Sequence, residues 1–511
     1  MTPLDPSLTQ ARLGRTLDVL VDDLELPGIS VACTLPGGER FRFNHGCRAD
    51  APGEPIDNDS IFAVASVTKS FTALAVVILA ESGALGLDDP LAHWLPGLAL
   101  PGGAEEEATI RHLLSHTSGL PGLPLIHGAR TPSILRDPDR GTLADRAPIA
   151  EDWKWIRNVE DLISALSEGG YSLLGAPGTV FNYSNEGFGL LQGIIEAVSG
   201  MTYSELLTAE VFAPAGIDRF GFTTEDIGVL DNIVPLFAPK TGAAERYSPS
   251  PAWWDVGDIY ANGSLKISSE ALLAIVDRLR ASALADSQLP GFSRRGYRML
   301  TDVEADLPDG GRYGLGLELS PPSEKHRWFG HGGSIKGAST LFRAYPDDGL
   351  SVVCLINASD APVSRVVETI VRDVLGTEVP AHPQRECVSD PDGGEHIGLY
   401  TSGELNEIEV ASEAGKLFVR KNSGVRTPIV EIDTDSFITP GGQRHVFLRS
   451  GTGTITALFT SKRVHGKQSL SPAGESETTT AVGGWNSEQS ANRETAAGTG
   501  ASDDNGKGDP A

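Results

Sequence analysis

Residues 61–83 read Ile61-Phe62-Ala63-Val64-Ala65-Ser66-Val67-Thr68-Lys69-Ser70-Phe71-Thr72-Ala73-Leu74-Ala75-Val76-Val77-Ile78-Leu79-Ala80-Glu81-Ser82-Gly83. Ile61 to Ala65 is a short apolar segment of extended character, and Ser66 opens a strongly apolar helix that runs to Gly83. Ser66-Val67-Thr68-Lys69 is the only Ser-x-x-Lys in the chain. Residues three apart share a helix face, so the Ser66 hydroxyl and the Lys69 amine can meet. A serine at a helix N-terminus also lies at the positive end of the helix dipole, beside free backbone N–H groups. Those surroundings activate a hydroxyl and stabilise an oxyanion. The bland reading is a serine cap followed by an exposed lysine, and the motif alone does not exclude it.

The flanks imply how this helix is packed. Leu8 to Leu26 carries Leu13, Leu17, Leu20, Val21 and Leu24 on one stripe and reads as an amphipathic helix. Gly28 to Leu35 and Arg40 to His45 read as strands joined by the turn Pro36-Gly37-Gly38. Residues 85–240 hold several helical stretches, and the Pro-punctuated stretch 121–150 reads as irregular. Strand character returns at Arg312 to Glu318, Arg327 to Gly330, Ser339 to Tyr345 and Leu350 to Asn357. A helix over Val363 to Val374 follows and stops at Gly376. Strands at both ends and helices between them predict one sheet assembled from both ends of a domain.

Two further motifs carry candidate chemistry. Tyr183-Ser184-Asn185 follows Pro177-Gly178 and precedes a helix over Gly187 to Val198. A tyrosine beside a cation can have a lowered pKa and relay a proton, and Asn185 can donate to a substrate carbonyl. The alternative is a buried Tyr and an Asn cap. Tyr260-Ala261-Asn262 is a rival for the same role. His331-Gly332-Gly333 reads as a strand-edge segment whose glycines let a substrate backbone approach. The Ser334 N–H then pairs with that of Ser66 as a candidate oxyanion hole. Its alternative is a Gly-rich turn with an incidental His.

Taken together and in this order, the three motifs resemble the serine β-lactamase and penicillin-recognising superfamily, specifically its class C β-lactamase-like group. That group includes D-aminopeptidases, D-Ala-D-Ala carboxypeptidases and esterases. The resemblance spans roughly residues 10–376 and includes Thr109 to Leu120, Pro177 to Ile195 and Tyr313 to Leu317. It selects Tyr183 over Tyr260. It implies an α+β fold, with an antiparallel sheet flanked by helices and an all-helical insertion, and the site between the two. It further implies that Ser66 is acylated, that Lys69 and Tyr183 handle its proton, and that Asn185, His331, Gly333 and Ser334 bind substrate. The chain departs from the usual β-lactamase pattern at His331, where a Lys is common. A histidine with an ordinary pKa near 6.5 is mostly neutral at pH 7. The departure favours peptidase or esterase chemistry, with activity changing between roughly pH 6 and 7.5.

Other motifs point elsewhere or nowhere. His112 and His116 have zinc-like spacing but lack the Glu of His-Glu-x-x-His, so a capping role is expected. No Gly-x-Ser-x-Gly elbow or phosphate-binding glycine loop is present, so an α/β-hydrolase and a nucleotide cofactor are not expected, nor is a metal. Trp253-Trp254 reads equally as core or as a pocket wall. Cys33, Cys47, Cys354 and Cys387 form no Cys-x-x-Cys pair and read as reduced thiols.

Composition bounds the partners. Lys plus Arg number 41 against 68 Asp plus Glu, a formal charge of −27, and only 11 of the cations are lysines. This excludes a general nucleic-acid binder and disfavours an anionic membrane surface. The apolar run Ala73 to Ala80 is too short to span a bilayer, and Met1 to Ser7 has no signal-like pattern. A cytoplasmic protein acting on a small molecule or short peptide is expected.

The chain divides into a hydrolase-like domain over 1–378, a linker over 379–395, a small β-barrel or sandwich over 396–469, and a disordered tail over 470–511. The β domain is similar to lipocalin-like domains of some D-aminopeptidase relatives. It is expected to restrict the pocket or mediate homo-oligomer assembly, so deleting 380–511 would widen substrate acceptance or change the oligomeric state. The rival to a serine hydrolase is a slow penicillin-binding-like or non-catalytic binding protein retaining the fold.

Overall fold

An eight-stranded antiparallel sheet is built from both ends of the first 377 residues. Its order is Arg40–His45, Ile29–Thr34, Leu350–Ile356, Ala338–Tyr345, Phe329–Ile335, Glu318–Leu319, Arg312–Tyr313 and Ala305–Asp306. The computed structural model describes residues 6–51, 53–140, 155–240, 246–284, 289–377, 394–404, 406–422 and 424–468. The alternation of the strands sorts side chains to two cores. Ile29, Val31 and Cys33 pack with Leu13 and Leu17 of the helix Pro6–Leu24 and with Val366, Val367 and Ile370 of the helix Val363–Leu375. Ala32, Val353 and Leu355 face the other way, onto the helices Thr68–Glu81, Asn185–Ser199 and Ser269–Ala281. Both faces are covered, which is why Leu350–Ile356 is buried at every position.

Two local expectations change and a third holds. The run Arg312 to Glu318 is not one strand: it folds back so that Tyr313 pairs with Glu318. Gly316 takes the left-handed conformation in this turn (φ 65°), where a Cβ would lie 2.9 Å from the Lys69 carbonyl. The glycine thus lets the turn lie against the helix that carries Lys69. Within 121–150, residues Leu125–Arg136 form a helix despite Pro132. The proline removes one backbone bond. Buried Leu125, Ile126, Ala129 and Ile134 hold the helix, and Ser133 donates to the carbonyls of Arg130 and Asp255. Residues 141–154 lie outside the described residues. The expected strand edge at His331-Gly332-Gly333 is found: Glu318–Leu319 pairs only with Gly330 and Phe329, so among the described residues His331 to Ile335 have a strand partner on one side, Ala338 to Phe342.

The C-terminal region is a nine-stranded antiparallel sheet over Gly398–Lys467. Its two outermost strands, Thr427–Pro428 and Val430–Asp433, are neighbours in the chain, so the sheet curls into a nearly closed barrel rather than a sandwich. Tyr400, Ile408, Val410, Leu417, Phe447 and Leu458 fill it. Its outer residues Ala457, Phe459 and Val464 pack on Phe181, Leu307 and Tyr313 of the preceding region. Cys33 and Cys354 are buried free thiols and Cys47 is an exposed one. Cys387, the tail and nearly all of the expected linker lie outside the described residues. Among the described residues, no helix is long and apolar enough to cross a membrane.

Candidate active site

Ser66 stands on a forced turn. Ala65, just before it, adopts φ 47°, a conformation that costs a non-glycine residue of order 1–3 kcal/mol. The surroundings hold it there. The Thr68 hydroxyl donates to the Ala65 carbonyl at 2.6 Å and accepts from the Leu265 N–H at 3.0 Å. Ser66 then lies in a short 3-10 turn, Ala65–Val67, that leads into the helix Thr68–Glu81. Lys69 is fully buried. Its Nζ lies 3.3 Å from Ser66 Oγ and 2.8 Å from Asn185 Oδ1, and it donates to the Asn262 carbonyl. Burial, and then the charges of Arg463 and Arg130, push the Lys69 pKa well below the usual lysine range. A neutral amine beside a serine hydroxyl is a proton acceptor.

Tyr183 and Asn185 reach the same point from the start of the helix Asn185–Ser199. Ser184 caps this helix, accepting from the Gly187 N–H at 3.0 Å. The Tyr183 ring lies 4.8 Å from Lys69 Nζ, and Ser66 is near enough to the phenol to oppose the effect of burial on its pKa. The expected lowered pKa is not found. Burial raises the phenol above its ordinary range, outweighing the opposing pull of Ser66 and Arg463. Tyr183 is therefore a neutral phenol. Asn185 Oδ1 accepts from Lys69, while its Nδ2 donates to Glu404 Oε1 at 3.5 Å. The rival segment also enters the site: Asn262 supplies its backbone carbonyl to Lys69, and its buried side chain has no hydrogen-bond partner. His112 Nδ1 accepts from the Thr109 N–H at 3.2 Å and His116 Nδ1 from the Ser184 N–H at 3.1 Å. These are capping and anchoring contacts, the role expected of two histidines that lack the Glu of His-Glu-x-x-His.

The third motif closes the site from the sheet. Gly333 leaves room where a Cβ would collide with the Val64 carbonyl and lie 3.1 Å from the Ser66 nitrogen. Thr340 on the paired strand donates to the Val64 carbonyl at 3.0 Å, tying this strand pair to the loop before Ser66. Ser334 is exposed on the same strand. His331 is only 1% exposed, a buried side chain rather than an open ligand for substrate. Its Nε2 is 2.9 Å from the Tyr313 hydroxyl and its Nδ1 2.6 Å from the Gly332 carbonyl. Burial drives its pKa down to about 4, although Glu318 pulls it up. The expected change between pH 6 and 7.5 does not belong to this residue, because His331 is already neutral there.

Four residues of the site were invisible in the motifs. The barrel hairpin turns at Ser461 and Lys462, both at positive φ, and pushes its tip against Tyr183. The Tyr183 N–H donates to the Lys462 carbonyl at 3.0 Å, and the Arg463 guanidinium lies 4.9 Å from the Tyr183 ring. Arg463 pairs with buried Glu404, Nη2 to Oε1 at 3.2 Å. Lys462 pairs with Glu318. Burial pushes the Glu318 carboxyl up, but Lys462 and His331 more than reverse this and hold it at about 2. The only sequence signal was a hairpin turn rich in cations, at Ser461-Lys462-Arg463-Val464.

Beside Ser66 a shallow, partly open recess is bounded by Trp253, Trp254, Gly263, Lys266 and Ile335. The tryptophans are thus a pocket wall. Asp137 fixes one side of it, accepting from Trp254 Nε1 at 2.8 Å and from Lys336 at 2.5 Å. Among the described residues, one group of metal-ligand side chains lies close together: Glu395, His396 and Asp435. Arg449 already donates to both of its carboxylates. A cation there would have to displace that guanidinium.

The family model described as Beta-lactamase matches residues 13–376. Esterase EstB of Burkholderia gladioli is 27% identical over 410 residues, covering 73% of this chain and 96% of that protein. SurE, solved with D-Leu, superposes with a TM-score of 0.63 at 23% identity, covering 90% of this chain and all of that one. The octameric penicillin-binding protein homologue of Pyrococcus abyssi gives a TM-score of 0.62 at 22% identity, over 89% of this chain and 99% of its own. At these identities the two structures speak for the fold, and their coverage extends beyond residues 13–376 into the barrel.

Proposed function

Because this chain belongs to the beta-lactamase family, a family of hydrolases among its relatives, we propose that it is a serine hydrolase forming an acyl-enzyme at Ser66. The observation that carries this reading is the buried Lys69 amine, 3.3 Å from Ser66 Oγ and with its pKa well below the lysine range. Neutral Lys69 takes the Ser66 proton as Oγ attacks the substrate carbonyl. The oxyanion forms against the N–H groups of Ser66 and Ser334. The proton then passes through the Tyr183 hydroxyl to the leaving group, and the carbonyl–leaving-group bond breaks to give the Ser66 ester. Water attacks that ester with the same groups reversing their roles, which restores Ser66 and Lys69. Metal and cofactor play no part in this scheme.

The substrate is a small amide or ester, and the Trp253–Trp254 wall offers its acyl group an aromatic face beside Ser66. The esterase relative and the neighbour solved with D-Leu support a choice between esters and D-amino-acid amides or peptides. The octameric neighbour supports a homo-oligomer. The test is intact-protein mass after brief exposure to a 4-nitrophenyl ester, with Ser66→Ala in parallel. An adduct or turnover that vanishes in the variant is expected. Equal behaviour of the two proteins would reject Ser66 as nucleophile. Rates with D- and L-amino-acid amides, esters and β-lactams then rank the substrate classes.

A further inference from the structure

His116 takes no step in the proposed reaction, and two of its features are unfavourable to the fold. Its backbone adopts φ 58°, a left-handed conformation that a non-glycine residue keeps only where its surroundings hold it. Its side chain is buried, and Nδ1 accepts from the Ser184 N–H at 3.1 Å, so that nitrogen carries no proton. The proton of the neutral ring therefore sits on Nε2, which is buried and has no hydrogen-bond partner among the described residues. Burial, and then neighbouring charges with Lys69 foremost, push its pKa well below the ordinary range, which keeps Nδ1 free to accept. A buried donor left unpaired is destabilising, and an apolar side chain would avoid it. Stability alone does not account for a histidine here.

What the histidine holds is the chain on both sides of Tyr183. Its backbone carbonyl accepts from the Asn182 N–H at 2.9 Å, and its Nδ1 from the Ser184 N–H. The Tyr183 N–H is committed to the Lys462 carbonyl, so three consecutive N–H groups are pinned, two of them by His116. The imidazole also lies against the Tyr183 ring, with centroids 4.2 Å apart and planes tilted by 36°. Phe188 and Tyr313 pack on the same imidazole at 5.0 Å and Phe181 at 5.9 Å, which holds it in turn. A phenol whose backbone and ring face are both fixed has little freedom left for its hydroxyl. We propose that His116 is a positioning residue of the hydrolase: it clamps residues 182–184 and so fixes the Tyr183 phenol beside Lys69 for proton transfer. This rests on the serine-hydrolase reading and adds to it the residue that aims its proton relay. A group displaced by an ångström can lose about 10²-fold in rate, so such a clamp is consequential.

The test measures kcat and KM on 4-nitrophenyl acetate and on phenyl acetate, whose more basic leaving group depends more on a proton relay. His116→Phe keeps an aromatic ring and loses the acceptor. His116→Asn keeps an acceptor at the place of Nδ1 and tolerates positive φ. We expect His116→Phe to lower kcat on phenyl acetate by about tenfold or more, with a smaller loss on 4-nitrophenyl acetate and KM nearly unchanged. His116→Asn should recover part of that loss. In a Tyr183→Phe background, His116→Phe should change kcat by less than about twofold, because the hydroxyl it positions is gone. No loss, equal losses on both esters, or equal losses in both backgrounds would overturn the proposal. Should His116→Phe fail to fold, His116→Gln, which places no acceptor at Nδ1, replaces it. Failure of both to fold assigns His116 to the fold and overturns the proposal too. Crystal structures of wild type and His116→Phe separate this from failure of the hydrolase reading. Wild type without Ser66-dependent turnover rejects that reading. A Tyr183 hydroxyl that stays within about 0.5 Å of its wild-type place in His116→Phe rejects the positioning role by itself.

Discussion

At the scale of single residues, the site depends on protonation states that burial and neighbouring charges impose. In the proposed reaction Lys69 serves as a base because its ammonium form is disfavoured, and Arg463 contributes to that. Removing the Arg463 charge lets the Lys69 pKa rise, so less amine is free at a given pH. Arg463→Gln should therefore move the acid limb of kcat/KM to higher pH. Glu404 acts in the opposite sense on Lys69, so Glu404→Gln should move it to lower pH. Full pH–rate profiles of the two variants test this, and shifts of the same sign would contradict it. Tyr183→Phe removes the hydroxyl we propose as the proton relay and should lower kcat by about 10²–10⁴-fold, the usual range for general acid–base groups. Ser66 and Lys69 were legible in sequence because their contact is local, three residues apart on one turn. The neutral state of Tyr183 was not: a nearby cation argues for a lowered pKa, and only the depth of burial reverses the sign.

At the scale of elements, the strand Phe329–Ile335 must lie directly against the turn that presents Ser66. The glycines of this strand are not equivalent. At Gly333 a Cβ would strike the Val64 carbonyl, which is held by Thr340, whereas at Gly332 the nearest atom is 3.7 Å away. Gly333→Ala should therefore abolish acylation and destabilise the protein by about 1–3 kcal/mol, the cost of overpacking. Gly332→Ala should retain most of the stability. Denaturant melts and adduct formation by mass distinguish the two. The motif and its free edge were both visible in sequence: two consecutive glycines read as an edge or a turn, and among the described residues His331 to Ile335 pair with a strand on one side alone. Its close approach to the turn before Ser66 was not visible, because that contact joins segments far apart in the chain. The helix Leu125–Arg136 was hidden for another reason. Proline and glycine punctuation argues for a loop, and tertiary packing of its apolar face overrides that preference.

At the scale of the whole molecule, the barrel is part of the site's wall. Deleting residues 380–511 removes Glu404, Lys462 and Arg463 and uncovers Phe181, Leu307 and Tyr313. Loss of activity, with exposed apolar surface, is now the expected result rather than the wider substrate acceptance inferred from the sequence. Esterase assays and dye binding on the truncated chain check it. Six histidines, His112, His116, His127, His331, His445 and His465, have pKa values depressed chiefly by burial. Each is neutral in the fold but free to take a proton once unfolded, below an ordinary pKa near 6.5. The unfolded state therefore binds more protons as the pH falls, and stability should decline from about pH 6.5 downward, before most carboxylates titrate. A melting temperature that stays flat from pH 7 to 5 would contradict this.

By itself the sequence determined what short-range pattern can determine. That includes the apolar helix after Ser66, the serine–lysine contact, the sheet drawn from both ends, and a C-terminal β region. Tertiary structure alone decided which charges surround Lys69, that His331 is sealed against Tyr313, and that a barrel hairpin from residues 461–464 meets Tyr183. The reason is physical. Helical and strand periodicity is written in neighbouring residues, whereas electrostatic environment sums groups that are hundreds of positions apart and depends on water that the packed chain excludes.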